Sequence, residues 1–134
     1  MKYLLDTSVY AQPLHLKPSQ PALERWQQIG FDDTAVSIIT ESEVLWGLYY
    51  HGGEQRFHYY QNSLRDRVKV LDVDQAVARL YARLKARQTR MEQPVAENDL
   101  LIAATAKAHG LTVATLNWES FGKIEGVTWE DWGR

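Results

Sequence analysis

Apolar residues gather in short blocks separated by longer amphipathic stretches. Lys2 to Leu5 is a brief run that stops at Asp6, Thr7 and Ser8, and its aromatic and branched residues predict a buried strand. Val9 to Leu16 leads to a break at Lys17, Pro18 and Ser19. Leu23, Trp26 and Ile29 then recur at helical spacing, with Ser19 or Gln20 as cap, Pro21 in the first turn and Gly30 as the stop. Ala35 to Ile39 predicts a second strand. Thr40 to Tyr50 predicts a helix that buries Val44, Leu45 and Leu48 and ends at Gly52-Gly53, and Glu54 to Arg65 predicts another carrying Phe57, Tyr60 and Leu64. Val68 to Leu71 reads as a third strand. Asp72 or Asp74 opens the longest helix, with Val77, Leu80, Tyr81 and Leu84 on one side, and it runs to about Met91 before Pro94. An alanine-rich helix starts near Glu97-Asn98-Asp99 and ends at Gly110. Thr112 to Thr115 is a fourth strand, and Val127 to Trp129 a short fifth one at an edge.

Alternation of strands with helices predicts an α/β fold: three α/β/α layers around a central, mostly parallel sheet of four to five strands. Composition agrees. The chain of 134 residues has the length of one domain, residues 1–134, with no internal repeat or linker. Fifteen basic against seventeen acidic residues, net −2, give no global attraction to nucleic acid, so contact with a polyanion must rest on a local patch. The absence of cysteine excludes disulfides, thiolate metal sites and a thiol nucleophile. Asp6 interrupts the first apolar run before a secretory core could form, and no run approaches the length of a membrane span, so a soluble cytoplasmic protein is expected.

Ligands of open α/β sheets bind beyond the carboxyl ends of the strands. Asp6 stands there after the first strand, although it could equally cap the next helix. Glu43 lies three residues after Thr40, the spacing of a capping box, on a helix that begins at the same edge. Asp99 occupies the first turn of a later helix, where a carboxylate also favours the positive end of the helix dipole. Thr115, Asn117 and Glu119 follow the fourth strand. Carboxylates gathered at one edge repel by about 4 kcal/mol per pair at 4 Å and an effective dielectric near 20, so a cation or a raised pKa must relieve them. All-oxygen ligands favour Mg²⁺ or Mn²⁺. Such ions hold phosphates and activate water, the chemistry of phosphodiester hydrolysis.

Four segments carry a resemblance. Leu4-Leu5-Asp6-Thr7-Ser8, Ser37 to Gly47, Asn98 to Ala104 and Ala114 to Phe121 resemble, in order and spacing, the successive motifs of PIN-domain ribonucleases. With the terminal Gly126 to Trp132 they look like the VapC toxins of type II toxin–antitoxin systems. The resemblance implies a Mg²⁺-dependent endoribonuclease, a homodimer restrained by a cognate antitoxin, with Asp6, Glu43 and Asp99 as metal ligands and holders of the attacking water. It departs at the fourth acidic position, where Ser120 stands and Glu119 precedes it. Glu119 is therefore a candidate catalytic member, with Thr7, Thr115 and Asn117 as supporting polar groups.

Arg79, Arg83, Arg87 and Arg90 form one stripe on the long helix, either an RNA-binding face or an ordinary solvated one. Arg65, Arg67 and Lys69 form a second cluster with the same two readings. His15, His51, His58 and His109 make no ligand pair. Trp26 and Trp46 sit on helical stripes and read as core, whereas Trp118 could stack on a base, contact a partner or pack at the rim. Apolar surface between Tyr49 and Leu64 is a candidate dimer contact. Two other classes compete: a metal-dependent phosphatase of the doubly wound type, against which Asp6 lacks a second Asp at position 8, and a PIN-fold binding module without catalysis.

Overall fold

A computed structural model of residues 1–134 contains five parallel strands in the order β3-β2-β1-β4-β5. They are β1 (Tyr3–Leu5), β2 (Thr34–Ser37), β3 (Lys69–Leu71), β4 (Thr112–Thr115) and β5 (Trp129–Asp131). Seven helices connect them: α1 (Thr7–Tyr10), α2 (Gln20–Ile29), α3 (Ile38–His51), α4 (Glu54–Ser63), α5 (Gln75–Arg90), α6 (Glu97–His109) and α7 (Trp118–Gly122). Successive side chains of a strand face opposite ways. Leu4 accordingly enters a core shared with α5, α6 and α7, while Leu5 enters a second core shared with α1, α2 and α4. Both leucines are fully buried, which is why β1 reads as a continuous apolar run and why helices cover both faces.

Local signals placed most boundaries. Ser19 accepts from the Ala22 amide at the start of α2, and Asp74 from the Val77 amide at the start of α5. Gly110 ends α6 in the left-handed conformation, at φ 66°. Alanine dominates α6 because this helix lies against α5, α3 and β4, and small side chains let it approach on several sides: Ala103, Ala104 and Ala106 are buried together with Leu100, Ile102 and Thr105.

Three expectations need correction. The second strand stops at Ser37, whose hydroxyl accepts from the Ile39 amide, so Ile38 and Ile39 belong to α3 and not to the strand. Position 40 therefore lies inside the helix, and the Thr40–Glu43 capping box is replaced by a Ser37 cap. Trp46 is 65% exposed and stacks on Tyr50 rather than joining the core. The fifth strand is shifted two residues, to Trp129–Asp131, because its register is set by pairing with β4, Thr115 opposite Asp131.

A buried polar chain ties α1 to its neighbours. The Tyr10 and Tyr60 hydroxyls are 3.1 Å apart, Tyr60 donates to Glu41 at 3.1 Å, and Glu41 is ion-paired with Arg65. Burial pushes the Tyr10 hydroxyl up to about 12, so it remains a proton donor at all ordinary pH. This network fixes the short helix that follows Asp6.

Candidate active site

Asp6 leaves β1 at the carboxyl edge, and its amide donates to the Ala114 carbonyl of β4 at 3.0 Å. It is only 4% exposed. Its Oδ1 accepts from the Ser8 hydroxyl at 2.6 Å and from the Val9 amide at 3.2 Å, and Oδ2 accepts from the Thr115 hydroxyl at 2.6 Å. The capping role and the site role thus coexist in one carboxylate: one oxygen closes α1, the other meets β4. Burial pushes the Asp6 carboxyl up to about 6. Hydrogen bonds from Ser8, Thr115 and Val9 pull the other way, and the charge of Asp99 adds to the rise.

Glu43 lies one and a half turns into α3 and is half-buried. Its Oε1 accepts from the Thr7 hydroxyl at 2.6 Å, a contact across 36 residues. Thr7 thus meets Glu43 directly. Asp99, in the first turn of α6, accepts through Oδ2 from the Ser120 hydroxyl of α7 at 2.6 Å. Ser120, and not its neighbour Glu119, meets Asp99; the Glu119 side chain is exposed. Thr115 is completely buried and also accepts from the Asn117 amide at 2.7 Å, whereas Asn117 takes part through its backbone and is exposed.

Asp6, Glu43 and Asp99 are each held by hydroxyls: Asp6 by Ser8 and Thr115, Glu43 by Thr7, Asp99 by Ser120. Ser8 and Thr115 each make a second bond: the Ser8 Oγ also accepts from the Leu116 amide at 2.9 Å and so joins the loops after β1 and β4. Ser8 carries no assigned role in the sequence pattern. The available signal was its place two residues after Asp6, where a short hydroxyl side chain can return to a carboxylate.

The donor set fits a hard divalent cation in three respects. It is all oxygen. Asp6 holds its charge at a cost that a cation would remove. The Thr40 hydroxyl, one turn before Glu43 on the same side of α3, is fully buried without a hydrogen-bond partner, an unfilled polar demand one turn from that carboxylate. Asp6, Glu43 and Asp99 do not close into a ready-made ligand cage.

Basic residues divide into engaged and free groups. Arg87 is paired with Glu125, Arg65 with Glu41, and the Arg67 guanidinium lies 4.2 Å from the centre of the Phe31 ring. Arg79 and Arg83 are exposed and share a hollow of about 510 Å³ with Lys107, between α5 and α6. Lys107 lies eight residues beyond Asp99 on α6, about 12 Å along the helix. All four histidines are exposed.

The five-stranded parallel sheet carries three of its acids to its carboxyl edge from different elements, and the PIN domain family model matches residues 3–127. The chain belongs to the PIN-domain family. Within it, the likeness is to VapC-type toxins. VapC of Salmonella typhimurium, a tRNA(fMet)-specific endonuclease, is 30% identical over 98% of both chains. Toxin FitB of Neisseria gonorrhoeae is 28% identical over 96% of this chain and 97% of its own. The crystal structure of FitAcB from Neisseria gonorrhoeae superposes with a TM-score of 0.87 at 28% identity, covering 96% of each chain. DNA-bound VapBC from Salmonella typhimurium superposes at 0.84 and 28% identity, covering 98% of each.

Exchanges at positions 119 and 120 separate the two candidates for the fourth position. Ser120→Ala removes the donor that orients Asp99 and is expected to lower RNA cleavage about tenfold, the value of roughly one charge-assisted hydrogen bond. Glu119→Gln changes an exposed, solvent-screened charge and is expected to leave the rate within about twofold. Steady-state cleavage of one labelled RNA by both variants checks this.

Proposed function

We propose that residues 1–134 act as one PIN domain, the ribonuclease toxin of a toxin–antitoxin pair, cutting RNA with Asp6, Glu43 and Asp99 as ligands of Mg²⁺ or, in its place, Mn²⁺. The observation that carries this reading is the convergence of these three acids, from β1, α3 and α6, on one sheet edge, each oriented by its own hydroxyl. A divalent ion bound there would supply Lewis acidity toward a phosphate oxygen and toward water. The chain's own part is orientation. Ser8 and Thr115 fix both oxygens of Asp6, Thr7 turns Glu43 toward the β1 edge, and Ser120 holds Asp99, so that carboxylates rather than solvent meet an incoming water.

Arg79, Arg83 and Lys107 offer RNA phosphates a basic hollow at the far end of α6, while Arg87 is committed to Glu125. Single-stranded RNA loses a slope of about 0.7 in log affinity against log salt for each phosphate contact removed. Arg79→Glu with Arg83→Glu is therefore expected to flatten the salt dependence of RNA binding by about 0.7 to 1.4 and to leave metal binding untouched. An unchanged slope would discard the hollow.

The partner in this reading is an antitoxin, since the solved VapBC and FitAcB structures named above are assemblies of related toxins. No helix is long and apolar enough to cross a membrane, and a cytoplasmic site of action accords with an RNA substrate. A homodimer accords with the exposed aromatic band of Trp46, Tyr49, Tyr50 and Tyr59 on α3 and α4. The test is cleavage of total cellular RNA by antitoxin-free protein in Mg²⁺, beside a chelated sample and an Asp99→Asn variant. Discrete cuts present only in the first sample support the reading. Failure to cut, in a folded chain that binds Mg²⁺, would favour phosphatase chemistry, and failure to bind Mg²⁺ would favour a binding module.

A further inference from the structure

The short helix that carries Ser120 also carries Trp118, whose indole stacks on that of Trp129, and the site as described uses neither. Trp118 opens α7 and Trp129 opens β5. Their rings stack with centroids 5.7 Å apart and planes inclined by 19°. They are 37% and 38% exposed, whereas Trp132, the residue that follows β5, is 1% exposed. The chain thus places the tryptophan after the strand in the core and keeps the one that opens the strand at the surface, pre-stacked on Trp118. The two rings and the side chains of Asp131 and Arg134 line a hollow of about 190 Å³. Arg134 approaches Asp131 through Nε at 3.1 Å and is 79% exposed, and its bond to Asp131 engages that one nitrogen of the guanidinium.

We infer that the Trp118–Trp129 pair is a stacking platform for one RNA base flanking the scissile phosphate, with Arg134 placed to meet the adjoining backbone phosphate. The inference rests on the ribonuclease reading above and assigns a binding subsite to it. Continuity with the acids carries the placement. The Asn117 amide bonds Thr115, which bonds Asp6; Trp118 is the next residue; and Ser120, two residues on, bonds Asp99. The segment that carries Trp118 is therefore the one whose neighbouring residues touch both carboxylates. The chemistry fits a base: a flat π-face accepts any base, and a guanidinium beside it meets a phosphate without reading sequence. The pair is already stacked, so little side-chain freedom is lost on binding.

The test couples protein and ligand changes. A set of short labelled RNAs spanning one mapped cut, each with a single abasic nucleotide at a different flanking position, is titrated by anisotropy against protein carrying Asp99→Asn in Mg²⁺, so that the RNA stays intact. Base–aromatic stacking corresponds to about a 5- to 150-fold change in Kd per base. One abasic position should weaken binding by such a factor, Trp118→Ala should weaken binding of the intact RNA by a similar factor, and the two changes together should weaken it no further. Trp118→Phe, which retains a stacking face, should recover most of the affinity and exclude a folding defect. Additive effects at every abasic position, or equal affinities of the Ala and Phe variants, would overturn the platform and leave the indoles to a protein partner. Unaltered protein that cuts no RNA would overturn the ribonuclease reading together with the platform, whereas RNA cutting without the coupling would overturn the platform alone.

Discussion

Replacing Asp99 with asparagine is expected to lower RNA cleavage by at least about 10²- to 10³-fold while the fold is retained. Asparagine preserves shape, and its amide oxygen can still accept from Ser120, so the 2.6 Å contact to α7 survives. What disappears is the negative charge. A bound divalent cation supplies several kcal/mol of transition-state stabilisation, and each 1.36 kcal/mol is tenfold in rate. In the proposed site, loss of one of three carboxylates removes a large part of that. Asp99 is half-buried and packs through a single side-chain hydrogen bond, so thermal stability should change little. Cleavage rates at saturating Mg²⁺, with melting curves beside them, check both halves. A variant that cuts at more than a tenth of the parent rate would remove Asp99 from the catalytic set.

Asp6→Asn is expected to abolish cleavage as well, and to make the metal-free protein more stable at pH 8. The reason lies in protonation. Burial raises the Asp6 carboxyl from its ordinary 3.8 to about 6. The folded chain therefore holds this proton more tightly than the unfolded chain does. Stability from the buried neutral acid is complete below pH 3.8 and is lost as pH rises through about 6. At about 1.4 kcal/mol per pH unit, the ionised carboxylate costs the fold about 3 kcal/mol at pH 8. Asparagine has no charge to bury. Its oxygen can still accept from Ser8 and the Val9 amide, but it cannot accept the Thr115 proton, a loss of about 1 kcal/mol. The net gain should be about 1 to 3 kcal/mol in urea unfolding at pH 8 in chelator, vanishing or reversing near pH 4. Saturating Mg²⁺ should narrow the difference by stabilising only the unaltered protein. A variant less stable than the parent at pH 8 would show that Asp6 is held for structure and not for its charge.

Such a cost is what a ligand-binding site requires. Asp6 is almost entirely buried, yet its partners are hydroxyls and one backbone amide, not a cationic side chain. A lysine or arginine would have settled the charge and closed the site to a cation. Thr7 and Ser120 do for Glu43 and Asp99 what Ser8 and Thr115 do for Asp6: they orient without neutralising.

Local chemistry made much of the scaffold legible. Ser19, Asp74 and Gly110 act within a few residues of themselves, so caps and stops could be read along the chain. The run Thr112 to Thr115 needed only its apolar content to be seen as a strand. Asp6 and Asp99 were legible for the same reason, each standing where an element changes and where an acid is also a plausible cap. Trp46 was misread because helical spacing tells which residues share a side but not which side faces solvent; α3 buries Val44 and Leu48 and leaves Trp46 on Tyr50. The Ser37 cap was misread because Ile38 and Ile39 favour strands until the serine hydroxyl takes the Ile39 amide.

By itself the sequence determined the alternation of strands and helices, the two-sided burial that calls for a parallel sheet, and two acids at element boundaries, Asp6 and Asp99, all of which depend on neighbours within a turn or two. Tertiary structure alone decided which hydroxyl meets which acid. Thr7 reaches Glu43 across 36 residues, Ser120 reaches Asp99 across 21, and Thr115 reaches Asp6 across 109. Those pairings follow from strand order and register, which bring β1 and β4 side by side and set α3, α6 and α7 around their carboxyl ends. A hydrogen bond is satisfied by distance in space, and only the packed sheet sets that distance.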